Sequence, residues 1–390
     1  MEALPEEIIH VIFLRLPIKS LLKCTAVCKT WNSIISTSSF IDTHLHLNCR
    51  DGQLLLLQAF SSPADRREPF SLHRDNPSFD EYTKLRNPFL AYDRTQAAIS
   101  KKRSIALGSE PINVVGTCNG LVCLVARDFT VLIWNPSIRK FVVLARPSVT
   151  FIRDDNPRIS YAFGYDSSTN DYKVLRTVSY VQGARSCEVE IWSLARGSWK
   201  SLTASIVIPG DNPCYPKAFL HDTHAFVNGA LHWFHHYKMI NYHDSIVSFD
   251  ISSESFGEMT MPAFWGNREI CLISRYRDSL AFFEQEFTDV FRLDVFRLSM
   301  WVMEEYGVAN SCTIIFTMDF HHITYPYPRP LWFRNSGDVV LECIQGVLKS
   351  VDSKTKSTTD FRINGYVSYD FMDYFVESLV LLDKPNAISY

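Results

Sequence analysis

Val131-Leu132-Ile133-Trp134-Asn135-Pro136-Ser137-Ile138-Arg139-Lys140-Phe141 is the stretch whose reading decides the fold. A β-prone run ends in tryptophan, a polar Asn-Pro-Ser turn follows, and a second aromatic stands seven residues after the first. That is the pattern of two strands joined by a tight turn. It returns along the chain. Val189-Glu190-Ile191-Trp192 leads at the same spacing to Trp199, and Ile246-Val247-Ser248-Phe249-Asp250 leads to Phe256. Fainter copies are Met300-Trp301-Val302-Met303 and Leu348-Lys349-Ser350-Val351-Asp352. The anchors 134, 192, 249, 301 and 351 are separated by 58, 57, 52 and 50 residues. The paired aromatics are expected to fill sheet interiors rather than line a ligand cage.

A second hairpin signal precedes most copies. Asn119-Gly120 stands before Leu121-Val122-Cys123-Leu124, Asn228-Gly229 before Ala230-Leu231-His232-Trp233, and Ser336-Gly337-Asp338 before Val339-Val340-Leu341. Asn-Gly between β-prone runs favours a tight primed turn. Two hairpins per period make one four-stranded sheet. A period of this length is too long for most helical solenoids and close to that of kelch-type propeller blades. With Gln53-Leu54-Leu55-Leu56-Leu57-Gln58 as the start of a further copy, the pattern predicts a β-propeller of about six blades. Pairing of 53–58 with a final strand at 374–382 is expected to close it and hide both edges.

The first 46 residues read differently. Pro5 is suited to the first helical position, and Glu6 and Glu7 to a first turn where the helix dipole favours negative charge. Apolar residues recur at Leu4, Ile8, Ile9, Ile12, Phe13 and Leu16, a wide helical stripe that Pro17 ends. A second helix is expected from Ile18 to Cys24. A third, from about Ala26 to Ser36, has Val27, Trp31, Ile34 and Ile35 on one side, and Ser38 or Ser39 is placed to cap a short fourth. A unit of about forty residues without disulfide or metal rarely folds stably alone. Each large apolar side chain left in water forfeits roughly 1.5–3 kcal/mol. The stripe on the first helix exceeds what so small a core can cover, which implies a protein partner. The fold is therefore mainly β with a small N-terminal α module, and the boundaries read as 1–46 and 50–386.

The order Leu4-Pro5, Ile8-Ile9, Leu16-Pro17, Ser20-Leu21-Leu22 and Val27-Cys28-Lys29-Thr30-Trp31 resembles an F-box, with Cys24 where many F-boxes carry a basic or bulkier residue. The body resembles the plant F-box-associated domain of the F-box/kelch-repeat proteins, beside which stand the pollen S-locus F-box proteins. Gly116-Thr117-Cys118-Asn119-Gly120, Trp134-Asn135-Pro136, Phe163-Gly164-Tyr165-Asp166, Asn228-Gly229-Ala230-Leu231-His232-Trp233 and Trp301–Gly307 carry that resemblance, which departs near Cys312, where the family usually has tryptophan. It implies a three-helix F-box that binds a Skp-type adaptor and, through it, a cullin. Carried over by position, Leu4, Pro5, Ile8, Ile9, Ile12, Leu16, Pro17, Leu21 and Leu22 would make that contact, with Val27, Cys28 and Trp31 supporting or completing it. The implied role is the substrate-recognition subunit of an SCF-type ubiquitin ligase. The alternatives are a pollen factor that recognises self-incompatibility ribonucleases and a ligase-independent scaffold.

Composition agrees with a fully folded chain, and the resemblance implies a non-catalytic receptor subunit. Of 390 residues, 46% are apolar and 13% aromatic, and the net charge is −3, so no nucleic-acid footprint is expected. No secretory signal or membrane-length apolar run is read. The ten cysteines include no CxxC pair, which fits reduced thiols in cytoplasm or nucleus. The Gly116–Gly120 segment has the spacing of a nucleophile elbow around Cys118, but a strand rather than a helix is expected after it. His232 and His236, on one strand face, would stand roughly 13 Å apart at about 3.3 Å per residue, too far to share a metal. These two, together with His221, His224, His321 and His322, are read as surface or blade-edge residues. No cofactor or metal is expected. Target contacts are expected in polar-aromatic loops, at Arg153, Arg158, His236, Tyr237, Tyr242, Tyr325, Tyr327 and Arg329, because Tyr and Arg are frequent interface anchors.

Overall fold

The computed structural model describes residues 5–48, 54–60, 70–99, 111–148, 157–180, 188–202, 224–235, 245–261, 269–287, 295–321, 328–334, 336–343, 346–361, 363 and 368–390. Four helices come first: α1 (Glu6–Leu14), α2 (Ile18–Thr25), α3 (Lys29–Ile35) and α4 (Ser38–Asn48). Strands β1 (Leu54–Phe60), β2 (Phe70–Arg74) and β3 (Glu81–Leu85) follow, then α5 (Pro88–Ile99). Next come β4 (Ile112–Cys118), β5 (Leu121–Ala126), β6 (Val131–Asn135) and β7 (Lys140–Val143). Packing groups these elements with the last residues, as residues 1–144 and 365–390; residues 145–364 form a second compact unit. The sequence boundary near residue 48 thus marks a change of secondary structure, while the helices and the first two sheets share one unit.

The second unit holds four sheets, each of four consecutive antiparallel strands. They are β8 (Pro157–Asp166), β9 (Asp171–Tyr180), β10 (Glu188–Ser193) and β11 (Ser198–Ser201); β12 (Ala225–Val227), β13 (Ala230–His235), β14 (Ser245–Asp250) and β15 (Ser255–Thr260); β16 (Glu269–Tyr276), β17 (Ser279–Phe287), β18 (Val295–Met303) and β19 (Cys312–His321); and β20 (Arg329–Phe333), β21 (Val339–Cys343), β22 (Val347–Val351) and β23 (Thr358–Phe361). The chain then returns to the first unit with β24 (Ser368–Phe375) and β25 (Ile388–Ser389). There the two sheets run β24-β1-β2-β3 and β25-β7-β6-β5-β4. Six sheets are described, the number the repeats predict.

The repeat unit is borne out residue by residue. The aromatics seven apart are direct cross-strand partners: Trp134 with Phe141, Trp192 with Trp199 and Phe249 with Phe256. All five anchors fall in the third strand of their sheet in chain order. Asn119 and Gly120 have φ of 51° and 78°, and Asn228 and Gly229 51° and 77°, the paired positive values of a primed two-residue turn. Because β5 directly follows, Cys118 stands in a hairpin and not on an elbow. Trp301 is the irregular copy: a bulge lies between Met300 and Trp301, and Cys312, beside Met303, fills the same core as Trp301.

Polar residues lock neighbouring sheets in the second unit. Asp166, at the end of β8, accepts from Ser168, Thr169 and, across to the β14–β15 turn, Ser252 Oγ (2.7 Å), and it pairs with Lys173 at 3.0 Å. Burial pushes this carboxyl up, but the hydrogen bonds outweigh it and hold Asp166 well below the usual carboxylate range. His232, expected at a surface or blade edge, is instead fully buried on β13, where its two ring nitrogens find partners and burial holds the ring neutral. Its Nδ1 donates to the Ala225 carbonyl (3.2 Å) and its Nε2 accepts from the Tyr306 hydroxyl (2.9 Å). Among the described residues no three His, Cys, Asp or Glu side chains converge on a metal-sized site. His221, His236 and His322 lie outside the described residues.

Other expectations also need correction. The body from residue 50, read as strands alone, includes a helix. In α5, Asn87 Oδ1 accepts from the Phe89 amide (2.9 Å), Pro88 opens the helix, and Phe89 is buried in the core of the first unit. The Asn-Pro start signal is present in the sequence, but the helix is flanked by strands that mask it. The fourth helix is capped by Thr37, whose Oγ1 accepts from the Phe40 amide (3.2 Å), and not by Ser38 or Ser39. Closure by β1 and the chain end is real, in the register Leu54↔Phe375 to Phe60↔Ser368, yet the terminal strand stops at Phe375. Residues 376–382 leave the ladder because a side chain takes their carbonyls. Asn135 Nδ2 donates to Ser378 O (3.0 Å) and Val380 O (2.7 Å). Lys140 Nζ donates to Leu382 O (3.1 Å), β25 pairs with β7, and Tyr390 Oη accepts from Trp134 Nε1 (2.8 Å).

Gly120 is built into this arrangement. A Cβ there would meet the Val376 carbonyl at 2.3 Å and Ser378 Oγ at 2.5 Å, whereas at Gly229, with nearly the same φ, it would meet nothing within 4 Å. Gly229→Ala therefore measures left-handed backbone strain alone, about 1–2 kcal/mol. Gly120→Ala adds displacement of the chain end and should cost at least about 1 kcal/mol more in denaturant unfolding. Equal losses would show that the tail is not clamped there.

The buried His232 also predicts a pH dependence. Burial depresses its pKa to about 4, from 6.5 in the unfolded chain. The unfolded state binds the proton first, so stability present above pH 6.5 is lost as pH falls through 6.5 toward 4, by no more than about 3 kcal/mol for this group. In His232→Gln the slope of unfolding free energy against pH in that window should be shallower. An unchanged slope would contradict the neutral buried ring.

Candidate docking surface

The helices of the N-terminal module start and stop where prolines and polar caps dictate. Pro5 caps α1 from one position outside it, with φ −52° and ψ 146°, and its carbonyl takes the amides of Ile8 and Ile9. Pro17 does the same for α2, with φ −66° and ψ 153°. Cys28, extended at the start of α3, accepts the Trp31 amide on its sulfur (3.4 Å). These caps fix three short helices around one small core of Phe13, Ile18, Leu21, Ile34, Ile35, Phe40, Ile41 and Leu45. Phe13 meets Trp31 edge to face at 5.1 Å, and His10 meets Phe40 at 5.3 Å, which joins α1 to α3 and α4.

α4 also braces the corner between α1 and α2. Pro17 leaves the end of α1 without a successor turn, and the buried His44 donates from Nε2 to the Leu16 carbonyl (3.0 Å). Burial lowers the pKa of His44, partly opposed by that bond, so the ring stays neutral. Among the described residues, two hydrogen bonds help to tie the module to the rest of its unit. Ser38 Oγ donates to Asp383 of the chain end (3.1 Å), and Lys19 Nζ reaches the Tyr82 hydroxyl (3.1 Å) while standing 4.7 Å from that ring's centroid.

Docked in this way, α1 still presents an apolar face. Ile8, Val11 and Ile12 are 48%, 49% and 44% exposed, and Val27 in the α2–α3 turn is 62% exposed. The spacing 8, 11, 12 is one helical stripe. Pro5, Pro17 and Cys28 are exposed beside it, and Ile9, Leu16, Leu22 and Trp31 are half-buried. Leu21 is the exception among the expected contacts. It has no exposed surface, since it faces inward at the centre of the helical core, so it supports the surface from beneath. Leu4 lies outside the described residues. Val11 was not anticipated. The stripe 4, 8, 9, 12, 13, 16 mixes outward residues such as Ile8 and Ile12 with the buried Phe13, and the i+3 step from Ile8 adds Val11 to its outward side. Covering the exposed half of each such side chain is worth on the order of 1 kcal/mol.

The expected target-binding residues are less completely placed. Arg153, His236, Tyr237, Tyr242, Tyr325 and Tyr327 lie outside the described residues, and of Arg158 only the backbone in β8 is described. Arg329 opens β20 and is exposed, with both Nε (3.2 Å) and a terminal nitrogen (2.7 Å) on Glu342 Oε2. In each sheet of four consecutive antiparallel strands, the connections after the first and third strands lie at one end, and those after the second and fourth leave from the other. In the first unit, the turn end holds Gly120 against Val376, and the tail it carries reaches Ser38 of α4 through Asp383.

Comparison with known proteins follows these two parts of the chain. An F-box-like profile matches residues 1–47, and the F-box associated beta propeller domain matches residues 90–366. The F-box/kelch-repeat protein At3g23880 of Arabidopsis thaliana is 27% identical over 347 residues, covering 88% of this chain and 86% of that protein. The F-box protein CPR1 of the same plant is 27% identical over 422 residues, covering 100% and 92%. F-box protein At3g07870, also of Arabidopsis thaliana, is 25% identical over 432 residues, covering 99% and 93%. With more than half its length matched by the propeller profile, its six sheets as the blades and its helical module matched as an F-box, the chain belongs to the F-box associated β-propeller family.

Proposed function

We propose that this chain is the substrate-recognition subunit of an SCF-type ubiquitin ligase. Its F-box holds a Skp-type adaptor and, through it, a cullin; its β body holds a target protein for ubiquitination and degradation. The observation that carries this reading is the uncovered stripe Ile8, Val11, Ile12 and Val27, apolar yet exposed on helices otherwise packed within their own unit. The role needs no covalent chemistry from the chain. It raises the local concentration of a target lysine near a charged conjugating enzyme. The target would bind at the sheet ends away from the tight turns. Arg329 and the start of β8 lie at such ends, as do the strand ends that flank the segments with Tyr237, Tyr242, Tyr325 and Tyr327. The proposed place of action is cytoplasm or nucleus.

Ile12→Asp tests the docking reading. The side chain is exposed, so the substitution should change stability by less than about 0.5 kcal/mol. It would, however, bury an unpaired carboxylate in the complex, and capture of a Skp-type adaptor should fall below detection. Leu21→Asp should instead melt the helical module itself, visible as lost helical signal without adaptor. Undiminished capture by a folded Ile12→Asp chain would contradict the proposal.

A further inference from the structure

The charge distribution around the exposed stripe points to the chemistry of the partner. Between Ile8 and Ile41 the chain has no Asp or Glu, and it carries Arg15, Lys19, Lys23 and Lys29, although the whole protein has a net charge of −3. Lys19 is engaged with Tyr82. The other three are exposed, and among the described residues none of them is in an ion pair. Their positions follow the apolar groups. Arg15 stands one further step, i+3 and i+4, along the stripe from Ile12 and Val11. Lys23 and Lys29 flank Val27, four residues before it and two after. Ile12, Val11 and Val27 each therefore have one of these cations nearby in the sequence. The only carboxylates of α1, Glu6 and Glu7, sit in its first turn, where the helix dipole accounts for them.

We infer that Arg15, Lys23 and Lys29 form a basic rim that steers an acidic surface of the adaptor onto the apolar stripe. This rests on the docking role proposed above. Rim charges act through the approach of the partners: they raise the association rate and make it fall with salt, while the buried apolar contact sets the dissociation rate. The rim thus selects a partner whose matching face combines an apolar groove with Asp and Glu at its border.

The test uses the full chain and a recombinant Skp-type adaptor, with association and dissociation rates measured from low to high sodium chloride. The charge-reversed chain carries Lys23→Glu and Lys29→Glu. Lys23 is in the last turn of α2 and Lys29 in the first turn of α3, so the dipole terms of the two reversals oppose each other and the helices should stay folded. Arg15→Gln is the second variant, checked alongside by circular dichroism. For the unaltered chain the association rate should fall about tenfold or more as salt rises. In the reversed chain it should be about tenfold lower at low salt and nearly flat, with dissociation unchanged. Binding with an association rate insensitive to salt and to both variants overturns the rim and leaves the docking role standing. No binding at any salt overturns the docking role itself, and the rim with it.

Discussion

Asn135 holds the end of the chain, and the first unit depends on that grip. Its amide nitrogen takes two carbonyls of a segment that would otherwise prolong β24, and its neighbour Trp134 reaches the terminal tyrosine. With the tail fixed, β24 lies against β1, so strands from opposite ends of the sequence share one sheet. Each would be an exposed edge without the other, with a row of unpaired amides and carbonyls. The same tail carries Asp383 to Ser38, so the constraint that seals the sheet also positions the helical module.

Much of this was legible in the sequence because it rests on local physical rules. Asn-Gly specifies a turn with two positive φ values whatever surrounds it, and Asn119-Gly120 and Asn228-Gly229 obey. Aromatics seven apart across a four-residue turn must face each other when the strands pair, and three pairs do. The parts that were not legible depend on partners distant in sequence. Asn135 reads as a turn residue, and that role is real, since its Oδ1 accepts the Ser137 amide (2.9 Å). That its Nδ2 would draw Ser378 and Val380 out of a ladder could not be read from a β-prone run at 374–382. α5 was missed for the opposite reason: its Asn-Pro start signal is local, but the strand rhythm on both sides drowned it.

The docking surface shows the same division. A greasy α1 with too little core to cover it follows from counting side chains, and the exposed stripe agrees with that count. Which residue turns inward does not follow from the count. Leu21 and Leu22 are adjacent and chemically identical, yet one has no exposed surface and the other is half-buried, because the angle of α2 against α3 and α4 decides between them. His44 was invisible to motif reading, yet it supplies the donor that the α1 end lacks and so shapes the corner where Leu16 and Pro17 stand.

The central claim is that the α1 stripe is the seat of a second polypeptide. Hydrogen–deuterium exchange of the full chain with and without a Skp-type adaptor tests it most directly. The account predicts added protection in the amides of α1 and of the α2–α3 turn around Val27, with β4–β7 unchanged. Adaptor binding that leaves α1 exchange untouched and protects the strands instead would contradict it.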